Sequence, residues 1–276
     1  MRFGYCLNLQ FLEGDATSRR IFEAVCESGF EYVELPMFAM AALSPDQLTA
    51  LKKELADKNM PCLACNVFFP QSIPIIGPER DKSQMLSYIE KALAIAADMG
   101  IETAVFGNGG ARKIPDGSNR EATWSQLRDI VEMMDPIAQR NNVTVVVEPL
   151  NQLETDMINS YTDAVKLTEG AKSVAAMCDW YHVFMEGQTL EDLFKYPKKL
   201  RHLHIAYGRE RLIPSPTDDM NHYGDFAKAV KKLGYNDKLS VEGGFKKIGA
   251  AEVGSGIESE ATDIKMCIDT LKKLFV

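Results

Sequence analysis

The chain has 276 residues, 46% of them hydrophobic and 25% charged, the balance of a globular protein with enough length for one substantial core. Its 39 acidic and 31 basic residues leave a formal charge of −8, with no basic block interleaved with aromatics, so neither nucleic acid nor an anionic membrane surface is expected as the main partner. The start, MRFGYCLNLQ, lacks a signal-type apolar core, and no apolar run approaches the ~20 residues that cross a bilayer, which points to a cytoplasmic protein with a small ligand.

In chain order the predicted strands are RFGYCLN (2–8), EYVELP (31–36), PCLACNVF (61–68), ETAVFG (102–107), VTVVVE (143–148), VAAMCD (174–179), LRHLHIA (200–206) and KLSVEGG (238–244). Helical stretches fill the gaps. Ser44-Pro45-Asp46-Gln47 opens one with a capping serine, a first-turn proline and a glutamine at N3. Gly29, Gly100 and Gly234 supply left-handed ends before the next strand. Cys62 and Cys65 have C-x-x-C spacing, but odd spacing on a strand sends the two sulfurs to opposite faces, against a redox or zinc motif. The glycine-rich FGNGGARK (106–113) reads as a flexible turn, with a phosphate cradle as its functional alternative.

Eight strand-then-helix units in about 250 residues match a (β/α)₈ TIM barrel spanning 1–276 as a single domain, with an open doubly wound sheet as the runner-up. Either fold collects functional groups at the carboxyl ends of the strands. Strand alternation puts Thr144, Val146 and Glu148 on one face, and Val143, Val145 and Val147 on the helix side. The same parity groups Ala175, Met177 and Asp179, His202 with His204, and Ser240 with Glu242. Glu148, Asp179, His204 and Glu242 therefore converge on one rim. Three carboxylates and an imidazole cannot stay together in a partly buried pocket without a cation, and this oxygen-rich set suits one divalent ion, Mn²⁺, Mg²⁺ or Co²⁺.

His202, one pleat repeat below His204, reads as a hydrogen-bonded core histidine rather than a ligand. His182 follows Asp179 by three residues, where a donor reaches a ligand oxygen; an exposed loop histidine is the plain alternative. Arg209 and Arg211 sit in the next loop, placed either to clamp a polar ligand or to face solvent.

The spacing E-x₅-E (Glu148 to Glu154), D-x-x-H (Asp179 to His182), H-x-H (His202 to His204) and a terminal-strand Glu (Val241-Glu242-Gly243) resembles the sugar isomerase and epimerase barrels, most closely the D-tagatose/D-psicose 3-epimerase group. That resemblance implies one divalent ion, usually Mn²⁺ or Co²⁺, on Glu148, Asp179, His204 and Glu242, with Glu148 and Glu242 also the acid/base pair. It implies that Glu154, His182 and a loop-seven arginine, Arg209 or Arg211, hold oxygens of a sugar, and that the protein is a homodimer or homotetramer. The expected activity is ketose 3-epimerisation of a free sugar through a cis-enediolate. The alternatives are an aldose–ketose or hydroxypyruvate isomerase, or an inosose dehydratase-like or sugar-phosphate enzyme. An endonuclease IV-like enzyme calls for more histidines and a basic face, and a non-catalytic sugar-binding barrel would exchange no C–H proton. Two stretches depart from the epimerase pattern: AYGRER (206–211) lacks an acidic residue just after the loop-seven histidine, and VEGGF (241–245) replaces the expected VMEP-like ending.

Overall fold

In the computed structural model, which describes residues 1–245 and 257–276, eight parallel strands close in chain order. They are β1 (Arg2–Cys6), β2 (Tyr32–Pro36), β3 (Cys62–Asn66), β4 (Thr103–Phe106), β5 (Thr144–Val147), β6 (Val174–Asp179), β7 (Leu200–Ile205) and β8 (Lys238–Val241), and β8 pairs back onto β1. The expected barrel is the observed one, and the open sheet is excluded by that closing pair. Most strands are a residue or two shorter than the apolar runs suggest, so Glu148 and Glu242 stand one residue beyond β5 and β8. Residues 246–256 of the expected domain lie outside the described residues.

Strand alternation divides the interior in two. Val143, Val145, Val147, Leu203, Ile205, Leu239 and Val241 join the large apolar layer between sheet and helices. Val105, Val146, Ala175 and Met177 form a separate small cluster inside the barrel. Tyr32 also lies inside: its hydroxyl reaches Ser240 Oγ at 2.8 Å, and a Cβ on Gly4 of β1 would overlap its ring. Gly4 therefore makes room for a cross-barrel aromatic.

The outer layer includes α1 (Ala16–Ser28), α2 (Met37–Ala42), α3 (Pro45–Asp57), α4 (Lys82–Met99), α5 (Arg120–Arg140), α6 (Tyr161–Leu167), α7 (Trp180–Met185), α8 (Glu191–Lys195), α9 (Asn221–Leu233) and α10 (Ile257–Phe275). The capping box at Ser44 opens α3, and Gly29, Gly100 and Gly234 close α1, α4 and α9 in left-handed conformation, as their sequence positions imply. All six cysteines, Cys62 and Cys65 among them, are free thiols. No helix among the described residues is long and apolar enough to cross a membrane.

At the amino-terminal floor, Arg2 and Lys238 interleave with Glu102 and Asp237 at 2.8–3.1 Å. The opposite, carboxyl-terminal mouth holds the candidate site.

Candidate functional site

Each predicted ligand reaches the mouth by its own local device. Glu148 follows the β-branched run of β5, and Gly107, after β4, has no side chain because a Cβ there would overlap the Glu148 carboxylate. Arg112 Nη1 fixes the Glu148 main chain by donating to its carbonyl at 2.8 Å. Asp179 ends β6 and caps α7, its Oδ1 accepting from Tyr181 N–H at 2.8 Å. His204 is fully buried on β7, and Glu242 follows β8, its N–H donating to Ile205 O at 3.1 Å.

The four side chains meet. Donor atoms of Glu148, Asp179, His204 and Glu242 all lie within 4.8 Å of one another. Nδ1 of His204 is 3.0 Å from Glu242 Oε2 and 3.3 Å from Glu148 Oε1, and that Glu148 oxygen is buried without a hydrogen-bond partner. Burial, then repulsion from Glu242 and Asp179, outweighs the pull of His204 and raises the Glu148 carboxyl to about 7. Burial likewise lifts Asp179 to about 6, although Arg211 and His204 oppose it. Glu242 goes the other way: burial would raise it, but Arg211 and His204 hold it at about 2. For His204, burial is overruled by Glu34 and Glu242, which hold the imidazole well above its ordinary value.

The residues fit a divalent ion. Two strongly buried carboxylates kept partly neutral, an orphaned carboxylate oxygen and an imidazole nitrogen within 4.8 Å of one another form a hard, oxygen-rich donor set short of positive charge.

Arg211 crosses from loop seven over this cluster. Its Nη2 donates to Glu242 Oε2 at 2.6 Å and to Asp179 Oδ2 at 3.3 Å, and its guanidinium lies 4.7 Å from the centre of the Tyr181 ring. The Arg211 backbone is left-handed, with φ 53°, inside a loop pinned by the Tyr207–Leu212 and Leu212–Gly244 bridges. Arg209, the other expected arginine, is exposed and is not among the residues lining the cleft. The tight loop turns only one of the two inward, and the loop-seven arginine that reaches the cluster is Arg211.

His182 is buried, not a loop residue in solvent. It lies in α7, its Nδ1 accepting from Asn151 N–H at 3.1 Å and from the Asn151 side-chain amide at 2.8 Å. That pair leaves Nε2 as the N–H nitrogen. It is buried, unpartnered and 3.5 Å from Asp179 Oδ2. Burial and the nearby Arg211 hold the ring neutral, with its pKa lowered to about 3. Glu154 borders the cleft, its Oε1 accepting from Asn151 at 3.0 Å and lying 3.7 Å from Arg211. The glycine-rich loop packs against this side: Gly109 lies against Glu154, and Arg112 is completely buried. Residues 107–111 of that loop line a cleft of about 240 Å³ with Asn66, Gln71, Glu148 and Glu242. His222 stands apart, in contact with Trp180, Phe184 and Tyr207.

Sequence reading missed Glu34, Asn151 and Arg112. Glu34 had a signal, being an acid between apolar neighbours on β2 and on the same face as Tyr32. Asn151 lies inside the E-x₅-E stretch without standing out, and nothing local separates Arg112 from a surface arginine.

The sequence profile of the xylose isomerase-like TIM-barrel family matches residues 22–263. The chain belongs to that family. A 3-dehydro-D-guloside 4-epimerase of Escherichia coli K12 is 28% identical over an aligned length of 159 residues that covers 54% of this chain; the chain spans 61% of that relative. A D-psicose 3-epimerase crystallised with D-fructose superposes with a TM-score of 0.82 at 16% identity, covering 100% of this chain and 99% of the other. A 3-keto-D-glucoside 4-epimerase from E. coli superposes at 0.75 and 19% identity over 99% and 98% of the two chains. At these identities the superpositions establish the barrel. Within the family's fold, the mouth described above occupies the place where TIM barrels carry their chemistry.

Proposed function

We propose that this xylose isomerase-like barrel is a divalent-metal-dependent sugar epimerase that inverts the carbon beside a ketone, acting as a 3-epimerase on a free ketose by way of a cis-enediolate. The observation that carries this reading is the convergence of Glu148, Asp179, His204 and Glu242 within 4.8 Å at the mouth. An ion held there, Mn²⁺ first and Co²⁺ or Mg²⁺ otherwise, would polarise the ketone and stabilise the charge left when the neighbouring C–H loses its proton.

The chain's own groups supply the rest. Glu148 and Glu242 come from strands three apart, which lets each address a different face of a flat enediolate: one takes the proton and the other returns it on the far side. Their environments push their proton affinities apart, a mark of an acid/base pair. His182 Nε2–H and Arg211 donate to sugar oxygens, and Glu154 accepts a hydroxyl. These contacts hold the substrate in a reactive pose. Arg211 is the one cation among the described residues lining the cleft and is already engaged by Glu242 and Asp179, which favours an uncharged sugar over a sugar phosphate.

The E. coli relative favours a second reading, inversion at C4 of a 3-keto glycoside, which is the same proton chemistry one carbon along. The test is metal analysis of the purified protein, then incubation with free ketoses, phosphorylated ketoses and 3-keto glycosides in D₂O. Deuterium at C3 of an epimerised ketose is the expected result, and deuterium at C4 of a keto glycoside establishes the second reading. Deuterium at C1 with aldose formation makes the enzyme an isomerase. Exchange in none of them, despite bound metal, overturns the proposal.

A further inference from the structure

Directly beneath the four-residue centre, the barrel encloses a second polar group built on Glu34, whose side chain is completely buried. Glu34 Oε1 lies 2.9 Å from His204 Nε2, and Oε2 lies 2.9 Å from His202 Nε2 and accepts from Ser240 Oγ at 2.6 Å. Tyr32 O–H completes the group, 2.8 Å from Ser240 Oγ. With three potential donors around two oxygens, an ionised carboxylate accepts from every partner. Both histidines then carry a proton on Nε2, and Nδ1 of His204, which faces Glu148 and Glu242, is the nitrogen that gives up its proton when an ion binds there. Nδ1 of His202 is buried without a partner and plays no part in the centre.

A competing cage makes this choice matter. Cys6, Glu34 and His204 also bring ligand-type atoms within 4.8 Å of one another, on the Nε2 side of the same ring. An ion can settle there only if Glu34 gives up its donors and His204 turns Nε2 into a ligand.

We infer that Glu34 is a positioning residue: it fixes His204 as an Nδ1 ligand of the upper centre, restrains His202 below it, and closes the lower cage to metal. This rests on the proposed metal at Glu148, Asp179, His204 and Glu242. The generalisation behind it is that a carboxylate on the far nitrogen of a ligating imidazole fixes its tautomer and orientation, and that losing such a partner weakens metal affinity about 10–100-fold.

The experiment combines Mn²⁺ titration calorimetry on chelator-stripped protein with ¹⁵N NMR of the imidazoles. Glu34→Gln keeps the shape, but its amide turns an N–H₂ toward a group that needs an acceptor, and Mn²⁺ should bind about 10–100-fold more weakly. Ser240→Ala removes one donor and leaves both histidine contacts, so binding should stay within about threefold of wild type. Equal affinity in the wild type and Glu34→Gln overturns the inference. Should Glu34→Gln fail to fold, the wild type decides the matter: with Mg²⁺ bound, a proton on His204 Nε2 and none on Nδ1 supports the assignment, and the reverse tautomer overturns it. If the wild type binds neither ion, the metal proposal itself falls. The imidazole spectra of the metal-free protein then judge Glu34 separately: Nε2–H signals from both histidines that vanish in Glu34→Ala support its positioning role, and signals that persist overturn it.

Discussion

The two ends of the barrel use the same side-chain types to opposite effect. At the floor, Glu102 and Asp237 meet Arg2 and Lys238 one for one, and pairing with Arg2 and Lys238 overrides burial to hold the Glu102 carboxyl at about 2. At the mouth, Glu148, Asp179, Glu242 and Glu154 share Arg211 and the His204 imidazole, and burial lifts Glu148 to about 7 and Asp179 to about 6. Carboxylates at strand ends are thus a structural clamp where cations match them and a cation-hungry centre where they do not. The shortage of positive charge at the mouth is the feature that the proposed function uses.

The largest effects are expected when the mouth loses a carboxylate or its imidazole. Asp179→Asn or His204→Ala should abolish stoichiometric divalent metal, measured by plasma emission, and lower turnover by at least ~10³-fold in the same samples. Full activity after exhaustive chelation would refute the metal reading. Glu148→Gln should lower epimerisation by roughly 10²–10⁴-fold, the usual worth of a positioned acid or base, with metal content measured alongside because Glu148 is also a proposed ligand.

The next effect falls on substrate grip. Glu154→Gln, His182→Ala and Arg211→Ala should reduce kcat/KM about 10–100-fold while metal content stays near wild type, because each is proposed to act at sugar oxygens. Arg209→Ala should leave steady-state kinetics unchanged, and a loss there equal to that of Arg211→Ala would show that the wrong arginine has been chosen.

The pH dependence of stability should carry opposite signs at the two ends. A carboxyl raised from 4.5 to about 7 in the folded state adds stability that is fully present below pH ~4.5 and lost as pH rises through 7. Stripped of metal, the wild type should therefore lose stability between about pH 4.5 and 7 relative to Glu148→Gln, by an amount on the order of a few kcal/mol. Saturating Mn²⁺ should reverse that trend, since the ion binds the ionised form. The floor behaves oppositely: Glu102, depressed from 4.5 to about 2, adds stability above pH ~4.5 that is lost as pH falls through 2. Its side chain is 45% exposed, so solvent screening limits the effect, and Glu102→Gln should cost roughly 1 kcal/mol at pH 7. Thermal melts at pH 7 and pH 2.5 check this: an equal loss at both values would disconnect the effect from charge.

Much of this protein was legible in its sequence because it depends on local periodicity. Alternation along β5, β6, β7 and β8 separates the inward Val146, Met177, His204 and Ser240 from the outward Val145, Cys178, Leu203 and Leu239, and eight strand-helix repeats match the count of a closed barrel. The convergence of Glu148, Asp179, His204 and Glu242 follows from that parity once a barrel is assumed. Other features depend on groups distant in the chain and could be decided only by folding. Glu34 is separated from His202 by 168 residues and from Ser240 by 206, so no window of sequence reveals that one carboxylate serves both. The choice of Arg211 over Arg209 turns on a left-handed residue inside a loop tied to Gly244, and the burial of Arg112 and His182 turns on how loops four and five stack on α7. Strand parity is a property of the backbone and is written residue by residue. The proton on a buried imidazole and the counterion of a buried carboxylate belong to whatever the fold brings within 3–4 Å, and the chain acquires them only on closing the barrel.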